Sequence, residues 1–222
     1  MKRLLAAFIV VVAGLVAPAL GHELTPLPVL DFEPPAPGTY TLHRIMTVPD
    51  GEVLSLDARV HPFREFTRDR ITLLGLIYTT CVDPEGCPLA ARVFDAVRES
   101  VAETPELRGK VRLVSLSFDP ERDTHAAMRG YAGHRATDAS VGVPWHFLTT
   151  RGPRALRPLV DGLGQDVRRA TSVASGHGHR ELSHVLKVFL IDRAGFVREI
   201  YSSTFLHPRT VLNDIVTLLM ED

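Results

Sequence analysis

The apolar positions of this chain recur with two periods, and the changes of period mark its elements. Residues 71–78, ITLLGLIY, form an uncharged apolar run of strand length. Residues 111–118, VRLVSLSF, form a second run that reads as a buried strand. Between them, residues 88–100 bring Ala91, Phe94, Val97 and then Val101 round at helical intervals. Pro88 opens that stretch, where its missing N–H costs nothing. Asp123 is expected to cap a helix running to about His134. Residues 145–148 read as a short strand and 152–163 as a weak helix. Residues 185–191 and 196–201 read as an antiparallel pair about the turn 192–195. Residues 208–220 close the chain as a helix with Val211, Ile215, Leu218 and Leu219 on one face.

Upstream, residues 39–48 alternate and are rich in β-formers. Asp50-Gly51 is a hairpin signal, with residues 52–56 as the returning strand and 61–70 as an irregular lead into the next. Residues 22–38 carry Pro26, Pro28, Pro34, Pro35 and Pro37 and read as an extended tether. Strands alternating with helices, then a hairpin and a last helix, imply an α/β fold. The order fits a thioredoxin-like sheet covered by helices, with an N-terminal β-hairpin and an insertion around residues 152–181. Residues 39–222 form that one domain.

Composition adds little: 45% hydrophobic, 23% charged and a formal net charge of -1 are ordinary for a globular chain. Arg151, Arg154, Arg157, Arg168 and Arg169 make a loose cationic region that reads as a solvated face, so no nucleic-acid partner is expected. Residues 1–21 matter more. Lys2 and Arg3 precede an apolar stretch, and Ala17-Pro18-Ala19 or Ala19-Leu20-Gly21 offers small residues for cleavage. This is a signal peptide, or else a membrane anchor through residues 4–20. Either way the domain is expected outside the cytoplasm, periplasmic or inner-membrane anchored.

The two cysteines then become the candidate chemistry. Cys81 follows the 71–78 strand and Cys87 directly precedes Pro88. A helix N-terminus favours thiolate over thiol. Asp83, Pro84, Glu85 and Gly86 are turn residues that place the intervening loop at the surface. Two readings stand from the pair alone: a structural disulfide or inert buried thiols, and a reactive pair. An exported setting permits a disulfide that opens and closes.

Four stretches together resemble the Sco/SenC family of exported copper chaperones. They are Tyr78-Thr79-Thr80-Cys81 through Cys87-Pro88, SLSFDPERDT at 115–124, residues 145–149, and His184 opening HVLKVFLIDRAG. The resemblance implies copper, as Cu(I) or Cu(II), held by Cys81, Cys87 and His184 and delivered to cytochrome c oxidase or another exported copper protein. Soft thiolates suit Cu(I), and imidazole suits both states. The chain departs from the family pattern in two places. Five residues, Val82 to Gly86, separate the cysteines where the family has three, which is expected to tune the copper site. Ser183 stands where the family often has an aspartate before its histidine.

His177 and His179 lie in a Ser/Gly-rich loop and read either as solvated residues or as an auxiliary metal-capturing pair. His22 would bind copper through the mature amino terminus if cleavage falls beside it. The alternatives to a metallochaperone are a thiol–disulfide oxidoreductase acting on the cysteines of a copper client, with Cys81 and Cys87 as its redox-active disulfide, and a structural or sensor domain. The first segment gives a direct expectation. Mass spectrometry of the mature protein should show loss of about twenty residues, or the whole chain should sediment with membranes. A soluble full-length cytoplasmic protein would contradict both.

Overall fold

The structure is a computed structural model and describes residues 27–136, 142–169 and 182–221. Its strands are β1 (Met46–Thr47), β2 (Glu52–Leu54), β3 (Val60–Pro62), β4 (Ile71–Ile77), β5 (Val111–Ser117), β6 (Trp145–Leu148), β7 (Val167–Arg169), β8 (Leu182–His184), β9 (Val188–Ile191) and β10 (Phe196–Tyr201). Its helices are α1 (Cys87–Glu103), α2 (His125–Ala132), α3 (Pro153–Gly162) and α4 (Pro208–Met220). Among the described residues no helix is long and apolar enough to cross a membrane.

Six strands form the main sheet in the order β1-β10-β9-β4-β5-β6. β4 pairs parallel with β5 and β5 with β6, while β9 runs antiparallel to β4. Every residue of β4, β5 and β9 is buried, which a strand covered on both faces requires and which their apolar runs allow. α1 is the crossover that a parallel pair needs. It buries Phe94, Val97 and Val101 of the expected stripe together with Leu89, Ala90 and Val93, while Ala91 is only half-buried. Gly75 in β4 lets α1 come close: a Cβ there would lie 3.2 Å from Cζ of Phe94.

The hairpin is present, but it is built from other residues than the pattern suggests. β2 pairs with β3, with Glu52 opposite Pro62 and Leu54 opposite Val60. The turn is closed by Ser55 N–H on Arg59 C=O at 3.1 Å, with Ala58 at φ 64. Asp50-Gly51 makes no hairpin turn. The Asp50 carboxylate instead takes the Gly51 and Arg64 N–H groups (2.9 and 3.2 Å) and the Arg64 guanidinium at 2.5 Å. Of residues 39–48, Met46 and Thr47 are strand, and they add β1 to the edge of the main sheet beside β10. Part of the supposed irregular lead is β3, followed by a 3-10 turn at Phe63–Phe66.

The strand expected over residues 185–191 begins later, at Val188. The Gln165 side chain donates to Val185 C=O at 3.1 Å and Lys187 Nζ to Gly164 C=O at 2.5 Å. Those bonds hold residues 185–187 against the end of α3, outside the sheet ladder. Residues 182–184 form β8 and pair with β7.

Residues 27–45 contain no helix or strand, yet they are tied along α4. Arg209 pairs with Glu33, Asn213 Nδ2 donates to Pro35 C=O (2.9 Å), and Gly38 N–H donates to Thr217 Oγ1 (3.0 Å). Asp214 accepts the hydroxyls of Tyr40 (2.5 Å) and Tyr201 (2.6 Å). The proline-rich stretch is thus a strap over the domain from Glu33 onward.

His146 of β6 generates a prediction. Its ring lies 5.0 Å from that of Phe66. Burial, and then the charges of Arg112, Arg70 and His61, push its imidazole down to about 4. In the unfolded chain it titrates near 6.5. Between those values the unfolded state binds a proton that the folded state refuses, so stability is full above about pH 6.5 and falls as pH drops to 4. The loss from this residue should reach about 3 kcal/mol at most. Urea unfolding of His146→Phe should show a correspondingly shallower decline over that range; an unchanged slope would contradict the assignment.

Candidate functional site

The site begins where β4 runs out. The last ladder bond is Phe118 N–H to Ile77 C=O, 2.9 Å. Tyr78 follows, buried with its ring 5.2 Å from that of Phe118. The chain then leaves the sheet and is held by a carboxylate. Asp123, 1% exposed, accepts Thr79 N–H at 2.9 Å, Thr79 Oγ1 at 2.5 Å and Ser117 Oγ at 2.6 Å. Ser117 Oγ in turn accepts Asp119 N–H at 3.0 Å. Asp123 is therefore not the helix cap expected of it. Thr124 caps α2, its Oγ1 accepting Ala127 N–H at 3.3 Å. The three donors converging from the ends of β4 and β5 take the Asp123 side chain inward.

Beyond Thr79, Cys81 N–H returns to Tyr78 C=O at 3.2 Å. Asp83 then makes its own turn: its carbonyl accepts Gly86 N–H and its carboxylate accepts Glu85 N–H, both at 3.0 Å. Val82 at the outside of this loop is 80% exposed. Gly86 starts α1, its carbonyl taking Ala90 N–H at 3.1 Å. A Cβ on Gly86 would meet three Asp83 atoms at 3.3 Å, so glycine lets the loop close. Cys87 is the first helical residue and Pro88 the second.

Both cysteines are free thiols, Cys81 partly exposed and Cys87 1% exposed. Their side chains lie close enough for a hydrogen bond between them. That hydrogen bond is the main reason the Cys81 thiol is pulled down to about 5. Burial opposes it, while the N–H groups of Cys87 and Asp83 and the Tyr78 hydroxyl assist. Cys87 is pushed up, first because it is the donor to Cys81, then by burial and by the Cys81 charge. The pair therefore shares one proton between an accessible thiolate and a buried thiol. Tyr131 stands near enough for the charge on the pair to reinforce burial in pushing its phenol up to about 12.

His184 is the last residue of β8, its backbone opposite Val167. The antiparallel register puts Val188 beside Gly75 and Ile191 beside Thr72. The chain from His184 thus enters β9 at the end of the sheet where β4 departs for Cys81. His177 and His179 lie outside the described residues, as do His22 and residues 1–21. Among the described residues, no three His, Cys, Asp or Glu side chains are grouped to hold a metal. The structure brings Cys81 and Cys87 together, and His184 precedes by four residues the start of β9 at Val188. The sequence reading missed the roles of Asp123, Thr79 and the Tyr78 hydroxyl. A signal existed: two parallel neighbours end together, so polar residues just after each can meet.

A sheet of this order, with two thiols bridging the end of its central strand and the start of the crossover helix, defines a dithiol protein of thioredoxin-like architecture. The SCO1/SenC family model matches residues 64–220, and the chain belongs to that family. ScoI of Arabidopsis thaliana, solved with copper bound, is similar with a TM-score of 0.64 at 15% identity, over 79% of this chain and 99% of that one. Apo Sco1 of Thermus thermophilus is similar with a TM-score of 0.60 at 22% identity, over 83% and 94%. BsSco, a member of the Sco family of cytochrome c oxidase assembly proteins in which a disulfide switch was identified, has a TM-score of 0.58 at 17% identity, over 81% and 98%. These likenesses establish the fold. No curated protein sequence matches the chain.

The unequal thiols predict unequal reactivity. At pH 7 iodoacetamide should modify Cys81 well before Cys87, with a rate that falls only as pH drops towards about 5. Cys87→Ala removes the main cause of that shift, so the midpoint should move back towards the ordinary thiol range. Peptide mapping after timed alkylation checks both; equal labelling of the two cysteines would contradict the arrangement.

Proposed function

We propose that this protein is an exported copper metallochaperone. It carries copper on Cys81, Cys87 and His184 and delivers it to cytochrome c oxidase or another exported copper protein. The carrying observation is the pair of adjacent free thiols, one held as thiolate, in a chain of the SCO1/SenC family. The donor set suits the cargo. Two sulfurs favour Cu(I), and adding one imidazole lets the same set hold Cu(II). Metal binding requires deprotonated sulfurs. Cys81 meets that requirement at neutral pH, and Cys87 has one proton to release as its sulfur turns from hydrogen-bond donor to ligand.

The surroundings fit transfer. Cys81 is partly exposed on a loop whose next residue, Val82, is 80% exposed. A client can approach that rim closely enough for its ligands to replace those of the carrier one at a time. The buried Cys87 then remains the inner anchor. The five residues between the cysteines lengthen the exposed part of the loop, which fits tuning of affinity rather than loss of the site. The relative named with copper bound and the relative named for oxidase assembly support the same reading. Export rests on residues 1–21. The site would then face an oxidising compartment, and copper would require the pair to be reduced.

A second reading has its own observation. An accessible low-pKa thiolate backed by a buried thiol is the arrangement a disulfide reductase uses. In that role Cys81 attacks a client disulfide, and Cys87 then attacks the mixed disulfide. Two electrons pass to the client cysteines, leaving a Cys81–Cys87 disulfide.

His184 separates the two. Disulfide exchange has no use for a distant imidazole, whereas a site of two thiolates and one imidazole does. His184→Ala should weaken Cu(II) binding at least tenfold, about 1.4 kcal/mol, and abolish the thiolate-to-copper absorption band. Exchange with a small disulfide should change little. Copper titration, optical and magnetic spectra and thiol-exchange rates on the same variant give the comparison. Unchanged copper binding would refute the three-ligand site, and client metallation that persists without metal binding would favour the redox role.

A further inference from the structure

We infer that Asp123 is a positioning residue that holds the Cys81 sulfur within reach of Cys87. The inference rests on the dithiol working as a unit, as the proposed function requires. Asp123 lies on no element of the site and is 1% exposed, so it meets neither client nor cargo. Its carboxylate instead replaces the sheet ladder after Ile77. It binds Thr79 through both N–H and Oγ1, and it binds Ser117, the residue opposite Ile77 in β5. Thr79 is thereby fixed to the end of β5 two residues before Cys81. At the other end of the loop, Cys87 is fixed as the first residue of a 17-residue helix packed on the sheet. The separation of the two sulfurs is set by these two anchors, and only the Cys81 anchor is made of side-chain hydrogen bonds.

The donor inventory says which substitutions matter. Three donors point at the carboxylate. Thr79 and Ser117 hydroxyls can rotate to other partners, but the Thr79 N–H cannot. Asp123→Ala leaves that N–H without its acceptor and frees the loop. Asp123→Asn keeps an oxygen for Thr79 N–H and Ser117, and its NH2 can donate to Thr79 Oγ1. The anchor is geometric, so the amide should preserve it although the charge is gone.

The readout is how readily the pair closes. Equilibrated with glutathione and its disulfide, Cys81 forms a mixed disulfide and releases one glutathione. Cys87 attacks that sulfur, releases the second, and the protein disulfide forms as two electrons reduce the glutathione disulfide. The ratio of closed to mixed forms gives the effective concentration of one thiol for the other. A loosened loop should lower it, since small misplacements of reacting groups are costly. Metal-free Asp123→Ala should show an effective concentration at least about tenfold below the natural chain, while Asp123→Asn stays within about threefold. Thr79→Val, which loses one of the two loop bonds and spares the buried carboxylate, should fall between them and serves if Asp123→Ala does not fold. Ile215→Val, a core change in α4 that touches none of the Asp123 hydrogen bonds, controls for lost stability and should leave the value unchanged.

The inference is overturned if Asp123→Ala and Thr79→Val both match the natural chain. It is also overturned if Ile215→Val falls as far as they do, or if the natural chain accumulates only mixed disulfide. Copper binding of the natural chain, measured in parallel, tests the proposed function separately. Its failure would leave the closure comparison as informative about Asp123 as before.

Discussion

β4 is paired along both edges, with β5 from Ile71 to Ile77 and with β9 from Thr72 to Gly75. All seven of its residues are buried. A strand in that position must satisfy every backbone group and expose none, which is why it is an uncharged run, aliphatic but for Gly75 and for Thr72, whose hydroxyl donates to Phe66 and Arg70 C=O. The same constraint fixes where chemistry can occur. Past Ile77 the ladder stops, the backbone needs new partners, and the chain can turn outward. Cys81 stands just beyond that point, and Cys87 stands where the returning chain re-enters regular structure as α1. The reactive pair is a consequence of how the central strand ends and how its crossover helix begins.

The inequality of the two sulfurs follows from the same geometry. Cys87, as the first residue of a packed helix, is drawn into the interior among apolar neighbours, where a charge is expensive. Cys81 remains at the rim with hydrogen-bond donors around it: the Cys87 S–H, two backbone N–H groups and the Tyr78 hydroxyl. Donors stabilise a negative sulfur and burial penalises one, so one proton settles on the inner atom and one negative charge on the outer. Two equally exposed thiols would titrate alike and both would oxidise freely. Two equally buried ones would be inert.

The sequence carried the buried strands, α1, α4 and the cysteine placement because each is written in local pattern: an apolar run, a helical stripe, a proline after a thiol. What it did not carry depends on partners far along the chain. Asp123 lies 44 residues from Thr79, and nothing near Asp123 distinguishes an inward carboxylate from a helix cap. Asp50-Gly51 has the composition of a hairpin turn, but Arg64, 14 residues on, claims the Asp50 side chain. The late start of β9 depends on Gln165, 20 residues before the carbonyl it binds. The strap reads as a tether because prolines leave few backbone donors. Its bonds come from α4, between 174 and 179 residues away for Tyr40, Glu33, Pro35 and Gly38.

The length of the cysteine loop can be placed in the same physical terms. The chain from Val82 to Gly86 is stabilised by contacts within itself, chiefly the Asp83 carbonyl and carboxylate on Gly86 and Glu85. Its residues from Val82 to Glu85 are exposed. The two anchors, Asp123 on Thr79 and the first turn of α1, make no use of them. Loop-closure entropy grows slowly with length, so two further residues in such a turn cost a few tenths of a kcal/mol. They can be accommodated while the sulfurs stay close. Lengthening the loop therefore changes what surrounds the outer sulfur, the surface a client would meet, more than it changes the distance between the thiols. Variation in this stretch alters the exposed rim while the dithiol itself is held from below.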